Sequence, residues 1–379
     1  MAGLARDRVT WLVYSYLAVY GYFQYGFGPT VPLLGADMDV SRAVAGLHGT
    51  ALAVGAVLAG MILPAVVRRL GRGAALRFGL GGLAIGLTGY LAGQSVWMTL
   101  AGTLVAGTFG SLVVSTHSAV LSHHHGSSGP AAINEANALA AGFGLIAPAV
   151  IGVTAAVGLG WRAGLLLAAI AAAVVLTLTA RTAVPVGPPV RRPRDVGGRM
   201  PAAFGPALAV LVLCIGTEFS LTFWASDLLR ERAGASAAVA TGSIAVLVLG
   251  MTVGRVAGGR LALVYPAETL LGASLIVAML GFAAFWLSTA LWLSVLGLLV
   301  LGLGISVQFP LSIARVLAAS GGHPDRATAR ASIGAGVAIG TAPFLLGLMA
   351  DQIGTQRAFL LVPVLLAAAA AFLRLGRTT

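Results

Sequence analysis

Apolar runs of about twenty residues fill almost the whole 379-residue chain, and only short polar segments separate them. A helix needs about 20 apolar residues to cross the hydrocarbon core of a bilayer, so these runs predict membrane-spanning helices. The composition agrees, because 58% of the residues are hydrophobic and 9% are charged, whereas about 25% are charged in soluble domains. The sequence therefore predicts an all-α integral membrane protein with the lipid bilayer as its surroundings.

Charged residues, Pro/Gly clusters and polar stretches divide the sequence into twelve predicted membrane spans. Their limits are 11–34, 44–67, 74–93, 97–121, 133–157, 162–180, 205–228, 237–259, 269–288, 291–318, 328–350 and 358–375. Residues 183–204 are rich in proline and arginine and are predicted to form a solvated cytoplasmic linker. This linker separates an N-terminal six-helix half, 1–182, from a C-terminal six-helix half, 205–379.

The basic residues predict the orientation of the spans. All 23 are arginines, and 18 of them fall on one side of the predicted membrane, with only Arg42, Arg162, Arg230, Arg232 and Arg357 on the other. Because cytoplasmic loops carry the excess of basic residues, both termini are predicted to be cytoplasmic. The net charge of +12 is thus assigned to membrane topology, and no nucleic-acid partner is expected. The single cysteine, Cys214, excludes a disulfide framework.

The two predicted halves show an internal repeat. An offset of 195 residues places Ala147-Pro148 on Ala342-Pro343, and a similar offset places Gln24 of the first span on Glu218 of the seventh. Such a repeat over most of the chain predicts two pseudo-symmetric halves with parallel topology.

Two six-span halves, an arginine-rich central linker and cytoplasmic termini resemble the major facilitator superfamily over nearly the whole chain. The signature of this family between its second and third spans is similar to the segment from Pro64 to Arg72, although Pro64 replaces a glycine and Arg68 replaces an aspartate. Two further segments, Glu135 to Gly142 and Gly160 to Ala163, loosely resemble the proton-coupled sugar-transporter-like branch. The resemblance implies alternating access by two moving halves.

Glu218 is the only carboxylate in the middle of a predicted span. Ionising a carboxyl group at that depth costs at least a few kcal/mol, so such a residue indicates a functional site. We therefore predict that Glu218 carries the coupling proton. The alternative is a protonated glutamate that holds a neighbouring helix for purely structural reasons.

Several polar or aromatic side chains are predicted to contact a small-molecule substrate. Tyr20 and Gln24 share a helix face at i and i+4, and Tyr25 adjoins them. Trp224, Asn137 and Gln308 complete the predicted set: Gln24, Tyr20, Tyr25, Trp224, Asn137 and Gln308. Each has an alternative, since tyrosine and tryptophan anchor spans at the membrane interface and buried amides bond neighbouring helices.

Glu135 and Arg330 occupy matching positions at the starts of spans five and eleven, with opposite charges. Span five packs against span eight in the family that the chain resembles, which implies that Glu135 meets Arg255. Such a pair is predicted to close an inner gate, with Arg330 as the second gating residue. The alternative is a solvated ion pair worth under about 1 kcal/mol.

These features predict a secondary active transporter of the cell membrane that moves a small organic solute, with protons as the coupling ion. Drug or metabolite export by proton antiport is the first alternative, and an integral-membrane enzyme or sensor is a second, less favoured one. No catalytic residue, metal site or cofactor is predicted, and the protein is expected to act as a monomer. The run from His123 to His125 is predicted to lie in a solvated loop.

Overall fold

The computed structural model describes residues 6–182, 184, 200–262 and 264–375, and these residues are almost entirely helical. The first five helices are α1 (Arg8–Asp37), α2 (Arg42–Ala92), α3 (Val96–His125), α4 (Gly129–Ala156) and α5 (Trp161–Thr179), with a 3-10 turn at Gly126–Ser128. The remaining helices are α6 (Phe204–Ala233), α7 (Ala237–Leu261), α8 (Ala267–Leu287), α9 (Leu291–Ile305), α10 (Gln308–Ala318), α11 (Pro324–Ile353), α12 (Thr355–Ala358) and α13 (Leu361–Leu375). The described residues contain no strand.

Each predicted span lies on one or more of these helices. By length and hydropathy alone, ten helical segments among the described residues qualify as membrane spans, so the predicted number of twelve stays a prediction. The second and third predicted spans both fall in α2, where Gly71 interrupts the helix with φ 78° and ψ 164°. Glycine adopts this backbone conformation without a steric penalty, so Gly71 allows the chain to turn between the two spans.

Close contacts at glycine join α7 and α9 in the second unit. A Cβ atom on Gly302 would lie 2.2 Å from the backbone oxygen of Leu247, and one on Gly250 would lie 2.3 Å from that of Leu299. The absence of side chains therefore lets α7 and α9 approach closely, as helices in membranes do. Large apolar side chains such as Met61 (72% exposed) cover the outside, which suits contact with lipid.

The chain forms two compact units. The first comprises residues Met1–Phe27 and Thr50–Arg192, and the second comprises Gly28–Gly49 and Pro193–Thr379. The segment Gly28–Gly49, which the sequence assigns to the N-terminal half, thus packs within the second unit. Most of the predicted linker, at 183 and 185–199, lies outside the described residues, and the predicted halves stay a prediction.

Candidate functional site

Glu218 lies in the middle of α6, in the second unit, with its side chain partly buried. Residues on the same helix that precede and follow it are fully buried, including Cys214, Thr217 and Ser220. The charged group that acts electrostatically on Glu218 is the guanidinium of Arg255 on α7.

A buried amide lies on the helix that packs against this part of α6. Gln308 is the first residue of α10 and is 1% exposed, yet neither its amide nitrogen nor its amide oxygen has a hydrogen-bond partner among the described residues. One turn further along α10, Ser312 lies next to the Cys214 thiol. Buried amides almost always have partners, so a partnerless one indicates a place for water or a polar ligand.

The spacing of these residues brings Gln308 and Glu218 to the same level. Helices joined by short loops run antiparallel, so the three reversals from α6 through α7 and α8 to α9 leave α9 running opposite to α6. Because Leu291–Ala318 is one helical segment, α10 continues in the direction of α9 and also runs opposite to α6. Ser312 on α10 lies beside Cys214 on α6. One turn back along α10 leads to Gln308, and one turn forward along α6 leads to Glu218. Because the two helices run in opposite directions, both turns lead the same way, and Gln308 and Glu218 lie at one level. We therefore infer one polar site in the second unit that contains Glu218, Arg255 and Gln308.

A second feature of this unit is a cavity of about 770 Å³ that we call the charged cavity. Its lining includes Arg42, Trp224, Asp227, Glu231 and Asp351. The Arg42 side chain donates from Nε to Asp227, at 2.7 Å, and from its terminal nitrogen to Glu231. The Asp351 carboxylate accepts the backbone N–H of Arg42 at 2.9 Å, so three carboxylates surround the start of α2.

The charged cavity was not predicted from the sequence, because the charges on the predicted outer side were interpreted as signals of membrane topology. The signal was present, because the five predicted outer arginines are matched by an equal number of acidic residues: Asp37, Asp39, Asp227, Glu231 and Asp351. Equal numbers of basic and acidic residues on the outer side of the membrane, where few charges are expected, indicate ion pairs.

Trp224, a predicted substrate contact, is 1% exposed, and its indole N–H donates to the backbone oxygen of Pro343 at 2.8 Å. Pro343 has no backbone N–H and interrupts the hydrogen bonds of α11, and the indole N–H binds the carbonyl oxygen of this same residue. Trp224 also lines the charged cavity, so it joins α6 to α11 there.

The predicted substrate contacts of the first unit lie on α1 and α4. The Tyr20 hydroxyl donates to the Gln24 side-chain oxygen at 2.9 Å, as their i, i+4 spacing predicts. The Tyr25 ring packs directly against Gly144, because a Cβ atom on Gly144 would lie 2.3 Å from Tyr25 Cδ2. Asn137 was predicted to be a buried amide, but this was wrong: its side chain is exposed, and its amide donates to the backbone oxygen of Ile133 on its own helix at 2.8 Å. Their role in substrate binding stays a prediction.

The predicted gating residues have well-defined neighbours within their own units. The Arg6 guanidinium donates two hydrogen bonds to Glu135, at 2.7 and 2.9 Å, and the Tyr14 hydroxyl donates a third at 3.0 Å. The Arg330 guanidinium lies 5.7 Å from the centre of the Phe204 ring. The pairing of Glu135 with Arg255 stays a prediction.

The histidine run does not lie in a loop, contrary to the expectation, because residues 123–125 form the last turn of α3. His124 bonds Asp7 through Nε2 at 2.7 Å, and His125 bonds the Thr10 hydroxyl at 2.8 Å. Burial acts to raise the pKa of Asp7, but hydrogen bonds from Thr10 and His124 outweigh it and lower the pKa to about 2. The described residues hold no group of three or more potential metal ligands.

Comparison with solved structures identifies transporters of the same fold. A bacterial homologue of the human lysosomal transporter Spinster is 14% identical, with 100% of this chain and 98% of that chain covered and a TM-score of 0.80. A D-xylose–proton symporter is 13% identical with 96% of each chain covered and a TM-score of 0.77. The nucleoside transporter NupG is 13% identical with 98% of each chain covered and a TM-score of 0.73. At these identities the likeness shows the fold alone.

No curated protein sequence matches the chain at a significant level. The sequence profile of the Major Facilitator Superfamily, however, matches residues 13–314, well over half of the chain. This match confirms the resemblance that the repeat and the loop between spans two and three suggested. The chain therefore belongs to the major facilitator superfamily and has the multi-pass fold of its membrane transporters.

Proposed function

We propose that this protein is a secondary active transporter that moves a small organic solute across the cell membrane by alternating access, with a proton gradient as its energy source. Twelve spans, two six-helix halves as the moving parts, and cytoplasmic termini belong to the same proposal. The arginine distribution supports the orientation. The interruption of α2 at Gly71 supports counting that helix as two spans, and α1, with its 30 residues, is long enough for a further one.

The observation that carries the proposal is the polar site in the second unit. Glu218 is the only carboxylate in the middle of a predicted span, Arg255 acts on it electrostatically, and Gln308 offers a buried amide without a partner among the described residues. A titratable group, a counter-charge and an unused amide together suit coupling of a proton to a polar solute.

In the proposed mechanism, the charge of Glu218 decides which state of the transporter is stable. Ionised Glu218 attracts Arg255, and protonation of Glu218 ends this attraction. A solute that binds better when Glu218 is protonated therefore moves together with the proton, because each ligand favours the state that the other also favours.

The amide of Gln308 favours a solute with hydroxyl groups. A primary amide donates two hydrogen bonds and accepts others, and a hydroxyl group both donates and accepts. Ser312, one turn further along α10, adds a fully buried hydroxyl beside the Cys214 thiol. In keeping with this, the similar structures include transporters of xylose and of nucleosides. We therefore propose a hydroxylated solute such as a sugar or a nucleoside.

The test is uptake by proteoliposomes with an imposed pH gradient, with sugars, nucleosides and cationic drugs as candidate solutes. We expect uphill accumulation of one hydroxylated solute by the wild type and none by Glu218→Gln, which cannot release a proton. The matched control is Glu268→Gln, since Glu268 is the second residue of α8 and pairs with Arg315 at 3.3 Å, outside the proposed polar site. Accumulation unchanged in Glu218→Gln would remove Glu218 from the mechanism.

A further inference from the structure

The turn in α2 carries a cluster of arginines that we call the arginine patch: Arg68, Arg69 and Arg72. Arg68 and Arg69 are exposed, and Arg72 is partly exposed on the other side of Gly71. None of the three makes an ion pair or hydrogen bond among the described residues. Arg68 also stands where the family signature that this loop resembles has an aspartate, so the loop carries no carboxylate of its own.

The described residues that follow α5 lie close to the arginine patch. The Arg77 guanidinium donates to the backbone oxygen of Thr182, and a Cβ on Gly73 would lie 2.5 Å from Val184 Cβ. The exposed Arg181 therefore lies at the same end of the first unit as the arginine patch.

The first unit has no carboxylate left to balance these charges. The sequence ranges of this unit, Met1–Phe27 and Thr50–Arg192, contain ten arginines but only two acidic residues, Asp7 and Glu135. Asp7 accepts hydrogen bonds from Thr10 and His124, and Glu135 accepts them from Arg6 and Tyr14. Both acids are thus already engaged, and a counter-ion for the patch must come from outside the unit.

We infer that the arginine patch binds the phosphate of an anionic phospholipid headgroup. Guanidinium groups bind phosphate through paired hydrogen bonds, more specifically than an ammonium group does. Leu70, in the middle of the patch, is 51% exposed, and Met61 on the preceding turns is 72% exposed, so apolar surface for the acyl chains adjoins the charges. The proposed cytoplasmic orientation places the patch at the leaflet where anionic lipids attract basic residues.

This inference rests on the proposed topology, and its test does not depend on transport. The full-length protein is purified in a neutral detergent, and native mass spectrometry measures the binding of phosphatidylglycerol and of phosphatidylcholine. We expect the wild type to bind phosphatidylglycerol preferentially. Removing one arginine near a lipid surface weakens binding about fivefold, so the triple variant Arg68→Gln, Arg69→Gln, Arg72→Gln should lose about a hundredfold.

The matched control removes three exposed arginines of the second unit: Arg260→Gln, Arg357→Gln and Arg374→Gln. This control loses the same net charge and should retain phosphatidylglycerol binding within about fivefold, the effect of one arginine. A similar loss in both triple variants would mean that net charge alone acts and would overturn the inference. Unchanged binding in the patch variant would overturn it as well.

Two further measurements keep the result interpretable. The single variant Arg68→Asp changes one exposed side chain, and we expect it to weaken phosphatidylglycerol binding more than Arg68→Gln does. Binding is repeated with inorganic phosphate at millimolar concentration. Displacement of the lipid by inorganic phosphate would mean that the patch is a site for soluble anions and would overturn the assignment to lipid.

Discussion

The ion pair between Arg42 and Asp227 makes the most direct prediction about stability. Asp227 is 11% exposed at its side chain and accepts from Arg42 Nε at 2.7 Å, and Arg42 is 34% exposed. In Arg42→Gln, Asp227 would lose its strong donor while remaining largely out of solvent. Breaking a fully buried pair costs about 3–5 kcal/mol, and breaking an exposed pair costs under about 1 kcal/mol. The Arg42–Asp227 pair is partly buried, so we expect Arg42→Gln to lower the free energy of unfolding by about 2 kcal/mol.

The assay is thermal unfolding of the purified protein in detergent, followed by tryptophan fluorescence. A loss of about 2 kcal/mol lowers the Tm by about 3 °C in a chain of this size. We also expect a double-mutant cycle with Asp227→Asn to show coupling. The double variant should lose about 1.5 kcal/mol less stability than the two single variants lose together, because both partners of the pair are then removed.

The matched control is Arg230→Gln, since Arg230 approaches the same carboxylate only to 3.9 Å and is 36% exposed. We expect this control to change the Tm by under about 1 °C. Additive losses in the cycle, or equal losses in Arg42→Gln and Arg230→Gln, would refute the assignment of the stabilisation to the Arg42–Asp227 pair.

Three other variants test separate contacts. Trp224→Phe removes the hydrogen bond to the backbone oxygen of Pro343, so we expect a loss of about 1 kcal/mol, measured as a lower Tm. The pKa of Asp7 is lowered to about 2, so the stability that ionised Asp7 contributes is fully present above its ordinary pKa of about 4 and is lost as the pH falls towards 2. In Asp7→Asn, the Tm should therefore fall less steeply than in the wild type as the pH is lowered through this range. Gly302→Val should give little folded protein in size-exclusion chromatography, because a Cβ there would lie 2.2 Å from the backbone oxygen of Leu247.

The helices were predictable because their signal is local. A run of apolar residues is read directly from the sequence, and each predicted span falls on a helix. The turn between the second and third spans was also predictable, since Arg68, Arg69 and Arg72 interrupt the apolar pattern around Gly71. Local signals of this kind do not depend on which helices become neighbours.

The partners of charged residues were not predictable, because they depend on tertiary packing. Arg42 and Asp351 are more than 300 residues apart in sequence and meet at the start of α2. Arg6 was treated as a topology signal, yet it donates two hydrogen bonds to Glu135. The histidines at the end of α3 are another example, since their partner Asp7 belongs to a different segment of the chain.

The polar site was predictable only in part. The sequence singled out Glu218 and Gln308 one at a time, because each is a polar side chain inside an apolar run. Only the packing of α10 against α6, with Ser312 beside Cys214, brings them to one level. Depth in the membrane is thus readable from a sequence, whereas the grouping of residues at that depth requires the fold.

The central claim, that Glu218 couples a proton to solute transport, is tested most directly by measuring proton movement itself. Proteoliposomes without an imposed gradient receive the transported solute, and a pH indicator outside records whether protons enter with it. We predict alkalinisation of the outside medium with the wild type and none with Glu218→Gln. Solute flux without proton movement in the wild type would contradict the claim, and outside acidification would mean that solute and proton move in opposite directions.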